Sequence, residues 1–201
     1  MALQRVGYAV ELYAGTAGGT AAFRKAGWRV VTVDLVRGCR PSIVADVRAL
    51  PLAAERPPDV VWASPPCTEF SDANPGRPPR PSLELVVATL EAVRWLRPRF
   101  WVMENVRGAI PWLGIPVQKV GPWCLWGYFP PLRVSWAAQT YRKAPHRTAA
   151  ARAAIPWEVS AALLEAVELY WDVPGLLDLR PFRRHRHRAA RPGPAAPSLD
   201  L

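Results

Sequence analysis

Two reactive side chains stand 37 residues apart, each just past an apolar run. Cys67 lies in Ala63-Ser-Pro-Pro-Cys67-Thr-Glu-Phe-Ser71, and Glu104 in Phe100-Trp-Val-Met-Glu104-Asn-Val-Arg-Gly108. An ionised thiol attacks electron-poor carbon, and a carboxyl whose pKa is raised by burial can deliver a proton near neutral pH. The twin prolines before Cys67 fix a turn after a strand, which places the thiol at the carboxyl edge of a sheet, where ligands bind. A rigid polar loop is a poor place to bury a thiol; Cys39 and Cys124 read instead as small core residues. Glu104 in isolation reads equally well as a strand-end residue that pairs with Arg107 or caps the next segment. All three histidines (His146, His185 and His187) come late in the chain, which disfavours a thiol–imidazole hydrolase.

A third element is Glu11-Leu-Tyr-Ala-Gly15-Thr-Ala-Gly18-Gly19. It falls between a strand and a helix, where glycines let a ligand approach the backbone. The spacing fits neither the dinucleotide Gly-x-Gly-x-x-Gly pattern nor the phosphate loop with its Gly-Lys-Ser/Thr. Asp34, 19 residues beyond Gly15 at the end of the next strand, is placed to accept hydrogen bonds from ribose hydroxyls. Asp46 ends a third strand and suits an amino group on a purine. Each aspartate alone would more commonly be a solvated strand end or a helix cap; in succession they favour a nucleoside-bearing cofactor.

Positioning these groups requires strands that end on one edge. Residues 6–13, Arg29–Val33, Ser42–Asp46, Asp59–Ala63 and Phe100–Met103 read as five strands. Between them the pattern predicts a short helix over Thr20–Ala26, closed by Gly27, and a longer one from an N-cap at Ser82. Its inward face would carry Leu83, Val86, Val87, Leu90, Val93 and Leu96. Continuous apolar strands alternating with helices predict an α/β fold with a mainly parallel central sheet. Trp62 and Trp101, within strands, read as core. From Gly108 to His146 the pattern fades into a Pro- and Trp-rich stretch, with a possible strand at Leu132–Trp136. A last helix opens at Ile155-Pro156 and runs to about Tyr170, with Val159, Leu163, Ala166, Val167 and Tyr170 inward.

In that order these elements resemble the cytosine-5 DNA methyltransferase family, above all its short phage-type members. The matching elements are Glu11-Leu-Tyr-Ala-Gly-Thr-Ala-Gly18, Val33-Asp34, Ala45-Asp46, Ser64-Pro-Pro-Cys67 with Phe70-Ser71, and Glu104-Asn-Val106. Trp126-Gly-Tyr-Phe-Pro-Pro-Leu-Arg133 and Ala154-Ile-Pro156 are similar to the family's later motifs, so the likeness covers most of residues 8–170. It implies a Rossmann-like fold that binds S-adenosylmethionine through Tyr13, Ala14, Gly15, Thr16, Ala17, Gly18, Asp34, Leu35, Asp46, Val47, Pro65 and Ile155. It implies Cys67 as the nucleophile, Glu104 as the group gripping the target base, and Arg133 as a third catalytic member. Two positions depart from the family pattern. Ala17 stands where a glycine is usual, and the usual Gln-x-Arg-x-Arg is reduced to Pro131-Leu132-Arg133-Val134-Ser135. The implied reaction is methyl transfer to carbon 5 of cytosine in DNA, with the base flipped from a duplex or already unpaired.

The 201 residues suit a single catalytic domain, residues 1–178, followed by a basic tail at 179–201 that reads as disordered. The formal charge of +10 comes from 26 basic and 16 acidic residues, and six arginines fall between Arg180 and Arg191. A polyanionic partner fits the tail best. Only 21 residues separate Arg133 from Ile155, room for a loop containing Tyr141-Arg-Lys-Ala-Pro-His146-Arg147 but not for a recognition domain. This predicts relaxed sequence preference, a simpler substrate, or a protein partner that supplies target recognition. Three cysteines without Cys-x-x-Cys spacing predict no disulfide framework and no metal site, in a reducing, cytoplasmic setting. The absence of a long apolar run or a secretory pattern predicts no membrane association. Two other readings keep some of these features: the same chemistry on RNA, a free nucleotide or with a modified cofactor, and an inert descendant that binds cofactor or nucleic acid.

Overall fold

The computed structural model describes residues 6–52, 56–72, 74–134 and 154–171. The expected basic loop at 141–147, the tail at 179–201 and the later part of the possible strand at Leu132–Trp136 lie outside the described residues.

Seven strands form one sheet: β1 (Tyr8–Leu12), β2 (Arg29–Asp34), β3 (Ile43–Val44), β4 (Val60–Ala63), β5 (Phe100–Val106), β6 (Gln118–Val120) and β7 (Trp123–Tyr128). Their order is β3-β2-β1-β4-β5-β7-β6. Strands β1 to β5 pair in parallel, and β7 inserts antiparallel between β5 and β6. The fold is the expected Rossmann-like α/β class with a mainly parallel sheet. Strand order reverses beside β1, between β2 and β4, and a crevice at the carboxyl ends follows from that reversal.

Helices cover both faces: α1 (Ala21–Lys25) and α4 (Trp157–Leu169) on one, α2 (Glu84–Leu96) on the other, with a short α3 (Ile110–Leu113) after β5. Side chains alternate across each strand. Ala9, Val60, Trp62, Val102 and Leu125 therefore pack with Phe23, Val159, Leu163 and Val167 in one core. Val10, Leu12, Val33, Val61 and Ala63 pack with Ala92, Val93 and Leu96 of α2 in the other. Trp62 is fully buried as expected, whereas Trp101 is only partly buried.

Three sequence expectations need correction. The buried stripe of α2 is Val86, Ala88, Thr89, Ala92, Val93 and Leu96, while Leu83, Val87 and Leu90 are exposed. Small residues decide this face, because helix and sheet approach where side chains are short. Cys39 is exposed, in a 3-10 turn between β2 and β3, and only Cys124 is buried in the core. Finally, β6 and β7 occupy a stretch that looked patternless, and residues 132–134 form no strand. Gly121 (φ 59) and Pro122 make the two-residue turn that lets Val120 pair with Trp123. Pairing with β7 also extends β5 from Met103 to Val106.

Candidate active site

Glu11 organises the loop after β1. It is a charged residue inside an apolar strand and is 3% exposed. Its carboxylate accepts the backbone N–H groups of Gly19 and Thr20 at 3.0 Å each, and a short hydrogen bond from the Thr20 hydroxyl. The first free amides of α1 are thus satisfied from within the protein. Burial pushes the Glu11 carboxyl above the usual range, and these hydrogen bonds and Arg24 oppose it. On the far side, Ser160 of α4 accepts from Ala22 N–H (3.0 Å) and donates to the Gly19 carbonyl (2.9 Å). Ile155 closes the same end: a Cβ on Gly18 would stand 2.7 Å from its carbonyl oxygen.

The loop is tightly wound. Tyr13, Gly15 and Ala17 all have left-handed backbone angles (φ 56, 48 and 56), and Ala17 N–H donates to the Ala14 carbonyl at 2.6 Å. A glycine at position 17 would be unstrained there; alanine is not. Ala14 is buried and Thr16 exposed. Gly15 N–H donates to Asp34 (2.8 Å), whose other oxygen accepts from Val36 N–H (2.7 Å). The Tyr13 hydroxyl donates to the Leu85 carbonyl of α2 (3.0 Å), and burial pushes its pKa up.

A cleft of about 530 Å³ opens at the carboxyl ends of β1, β2 and β4, lined by Tyr13, Asp34, Leu35, Asp46, Val47 and Pro65 among others. These six expected cofactor residues come from four separate segments. Asp46 caps the 3-10 turn Val47–Ala49 through Arg48 N–H and pairs with the Arg48 guanidinium, which holds its carboxyl below the usual range. Among the described residues four carboxylates line the cleft (Asp34, Asp46, Glu69 and Glu84) against one arginine, Arg48.

Cys67 and Glu104 come from adjacent parallel strands. Ala63 pairs with Met103, so Ser64 and Glu104 leave the paired register together. Ser64 accepts from Trp62 Nε1 (2.9 Å) and donates its own proton to Glu104. Asn105, 1% exposed, donates from Nδ2 to the Pro65 carbonyl (3.0 Å), which ties β5 to the proline turn. The Cys67 carbonyl accepts from Phe70 and Ser71 N–H groups (3.0 and 2.9 Å), so the thiol begins a tight turn. Burial of Glu104 raises its pKa from 4.5 to about 7, with the Ser64 hydrogen bond opposing. Burial also pushes the half-buried Cys67 thiol up, and the neighbouring Glu104 charge adds to this.

Neither Cys67 nor Glu104 is among the cleft's lining residues, though Pro65, Pro66, Thr68 and Phe70 are. Arg133 is exposed beyond β7 and is also absent from the lining; its neighbour Leu132 is held by Gln118, N–H to Oε1 at 2.9 Å and carbonyl from Nε2 at 2.8 Å. Sequence reasoning assigned no role to Glu11, Ser64, Asn105, Arg48 or Ser160. A usable signal existed for three of these: a lone polar group inside an apolar strand or helix face marks a buried hydrogen bond. Among the described residues no cluster of three or more His, Cys, Asp or Glu side chains is placed to hold a metal ion, and no helix is long and apolar enough to cross a membrane.

No protein-family model matches the chain, and no curated protein matches it. Solved structures are similar over part of the chain, two of them as follows. One is a candidate DNA modification methyltransferase encoded within an E. coli prophage, with 23% identity over 52% of this chain and 33% of the other, and a TM-score of 0.41. The second is the PH0226 protein of Pyrococcus horikoshii OT3, with 20% identity over 57% of each chain and a TM-score of 0.38. This chain therefore spans less than two thirds of either.

Proposed function

We propose that the protein transfers a methyl group from S-adenosylmethionine to carbon 5 of cytosine in DNA, through a covalent adduct on Cys67. The observation that carries this reading is the pairing of a buried carboxyl of pKa about 7 with a thiol on the next strand's exit loop, beside a nucleoside-sized cleft. The chemistry of the cleft supports the cofactor. Among its described lining residues carboxylates outnumber arginine, an environment that disfavours phosphates and suits a sulfonium cation with an amino group. Glu11 also occupies the helix N-terminus where a dinucleotide would place its pyrophosphate.

Asp34 would hold the ribose hydroxyls, Asp46 the purine amino group, and the loop of residues 13–18 with Ile155 the rest. When bound, S-adenosylmethionine supplies an electrophilic methyl group, which carbon 5 takes up. The protein's part is to make that carbon nucleophilic. Cys67 Sγ, as thiolate, forms a bond to carbon 6 of the ring. Glu104 donates its proton to N3, which leaves an enamine whose carbon 5 is electron-rich. After methylation a water or hydroxide takes the carbon 5 proton, the ring double bond reforms with expulsion of the thiolate, and N3 returns its proton to Glu104.

Above about pH 7 Glu104 loses its proton first, because the Cys67 thiol is pushed upward, and the pair then shares one proton. The reactive arrangement, thiolate with carboxylic acid, is its minor form. Hydrogen bonding of N3 to protonated Glu104 removes the carboxylate charge that opposes thiol ionisation, so binding of the base promotes the nucleophile. The net basic charge supports a nucleic-acid substrate through phosphate contacts.

The test is transfer of label from S-adenosylmethionine to DNA, RNA and free cytidine nucleotides, with Cys67→Ser as control, followed by identification of the modified base. Label in 5-methylcytosine of DNA, lost in the variant, is expected. Label confined to RNA or nucleotide would reassign the substrate, and cofactor binding without any transfer would favour an inert binding protein. DNA carrying 5-fluorocytosine should trap the protein covalently, because fluorine does not leave as a proton does.

A further inference from the structure

The mouth of the cleft carries an ion network with no counterpart in the chemistry above. Arg48 reaches Asp46 from both ends of its guanidinium: Nε lies 3.0 Å from each carboxylate oxygen and Nη2 lies 2.5 Å from Oδ2. Arg48 backbone N–H also donates to Oδ1 at 2.9 Å. Its Nη1 then spans to Glu84, at the first turn of α2, at 2.9 Å. One residue thus ties the turn after β3 to the helix on the opposite wall, and all three members line the cleft.

Counting acceptor positions gives this network a consequence. A carboxylate offers about four lone-pair directions. Oδ1 is filled by the Arg48 amide and Nε, and Oδ2 is engaged by Nη2 with a shared contact to Nε. The position left on Oδ2 takes a donor and repels a carbonyl. The fork of the guanidinium also fixes the plane of the carboxylate, which a lysine would not do.

We infer that Arg48 is the specificity-determining residue of the cleft's nucleoside end: anchored to Glu84, it orients Asp46 with one acceptor position free, and so selects a 6-aminopurine over a 6-oxopurine. This rests on the reading of the cleft as an S-adenosylmethionine site. The network is partly exposed, with side-chain exposures of 49%, 30% and 61% for Arg48, Asp46 and Glu84. Its effect is therefore modest and screened by salt.

The test is calorimetric binding of S-adenosylhomocysteine and its deaminated counterpart, S-inosylhomocysteine, to wild type, Arg48→Met, Arg48→Lys and Glu84→Gln, with thermal unfolding as a check on folding. The expected result is a preference of wild type for the adenosyl ligand that falls about fivefold in Arg48→Met, less in Arg48→Lys and Glu84→Gln. Wild-type preference should also shrink between low salt and about 1 M, where screening is nearly complete, while Arg48→Met changes little. A folded Arg48→Met that keeps the full preference overturns the inference, as does a wild type that binds both ligands equally; in both cases the cofactor reading survives. A wild type that binds neither ligand removes the cofactor reading and this inference with it.

Discussion

Glu11 and Glu104 sit on one face of one sheet, both less than a tenth exposed and both with pKa values raised by burial. Their partners separate them. Glu11 accepts three protein hydrogen bonds, which fill three of a carboxylate's roughly four acceptor positions, so its region is a structural joint. Among the described residues Glu104 receives a hydrogen bond from the Ser64 hydroxyl alone, and its region carries an acid with unused positions beside a thiol. Burial of a carboxyl therefore identifies neither role; what the surrounding protein leaves unsatisfied does.

The largest expected effect tests the catalytic side of this contrast. Glu104→Gln should lower methyl transfer by about a thousandfold, within the range of a lost general acid, while leaving the protein folded. The same variant sharpens the pH argument. Wild-type Glu104 has a folded pKa of about 7 against 4.5, so the native state holds an extra proton between those values. Stability should fall as pH rises from about 4.5 to 7, by about 3 kcal/mol for this shift. The penalty is absent below the window and complete above it. Denaturant titrations across that range should show this slope in wild type and lack its Glu104 share in Glu104→Gln. Equal slopes would place the two glutamates in one class. The variant should also lower the pKa of the Cys67 thiol, measured by the pH dependence of alkylation, because a neighbouring negative charge is removed.

The structural side is tested by Glu11→Ala. It strands the Gly19 and Thr20 amides at a buried helix start and should cost about 3 kcal/mol in unfolding experiments, in line with losing the acceptor of several buried donors. A loss of transfer without any loss of stability would contradict the joint. Asn105→Ala comes next. It frees the proline turn from β5 and should cost about 1 to 2 kcal/mol, with a lower rate of 5-fluorocytosine trapping if that hydrogen bond sets the thiol's place. The smallest effect is expected for Ala17→Gly. Relief of a left-handed alanine, offset by the entropy of glycine, should raise stability by less than about 1 kcal/mol, seen as a small upward shift of the unfolding midpoint.

Legibility in the sequence followed the range of the interactions involved. Strands β1, β2, β4 and β5 and helix α4 were readable because each carries its own apolar period and its own stop signal. The hairpin of β6 and β7 was not. Gln118-Lys-Val120 is short and polar, and β7 owes its place to partners on both sides, though Gly121-Pro122 was a visible turn signal. The α2 stripe misled in part because Leu83, Val87 and Leu90 are apolar yet exposed; Ala88, Thr89 and Ala92 join the expected Val86, Val93 and Leu96 in the real contact. At the site, Cys67, Glu104, Asp34 and Asp46 could be picked out as residue types at strand ends. The Arg48 clasp, the Ser64 bond to Glu104 and the Asn105 tie could not, since each joins segments that the sequence keeps apart or leaves without a period.

The order of the chain by itself determined strands β1, β2, β4 and β5, that they run parallel, and that a thiol and a carboxyl follow the apolar runs of two of them. Those are consequences of local pattern and of the rule that crossover connections carry each strand back in the same direction. Only the tertiary structure decided that these two strands are neighbours in register, and that one buried glutamate is held by three protein donors while the other meets the Ser64 hydroxyl. Hydrogen-bond satisfaction depends on which groups meet in space, and no spacing along the chain encodes it.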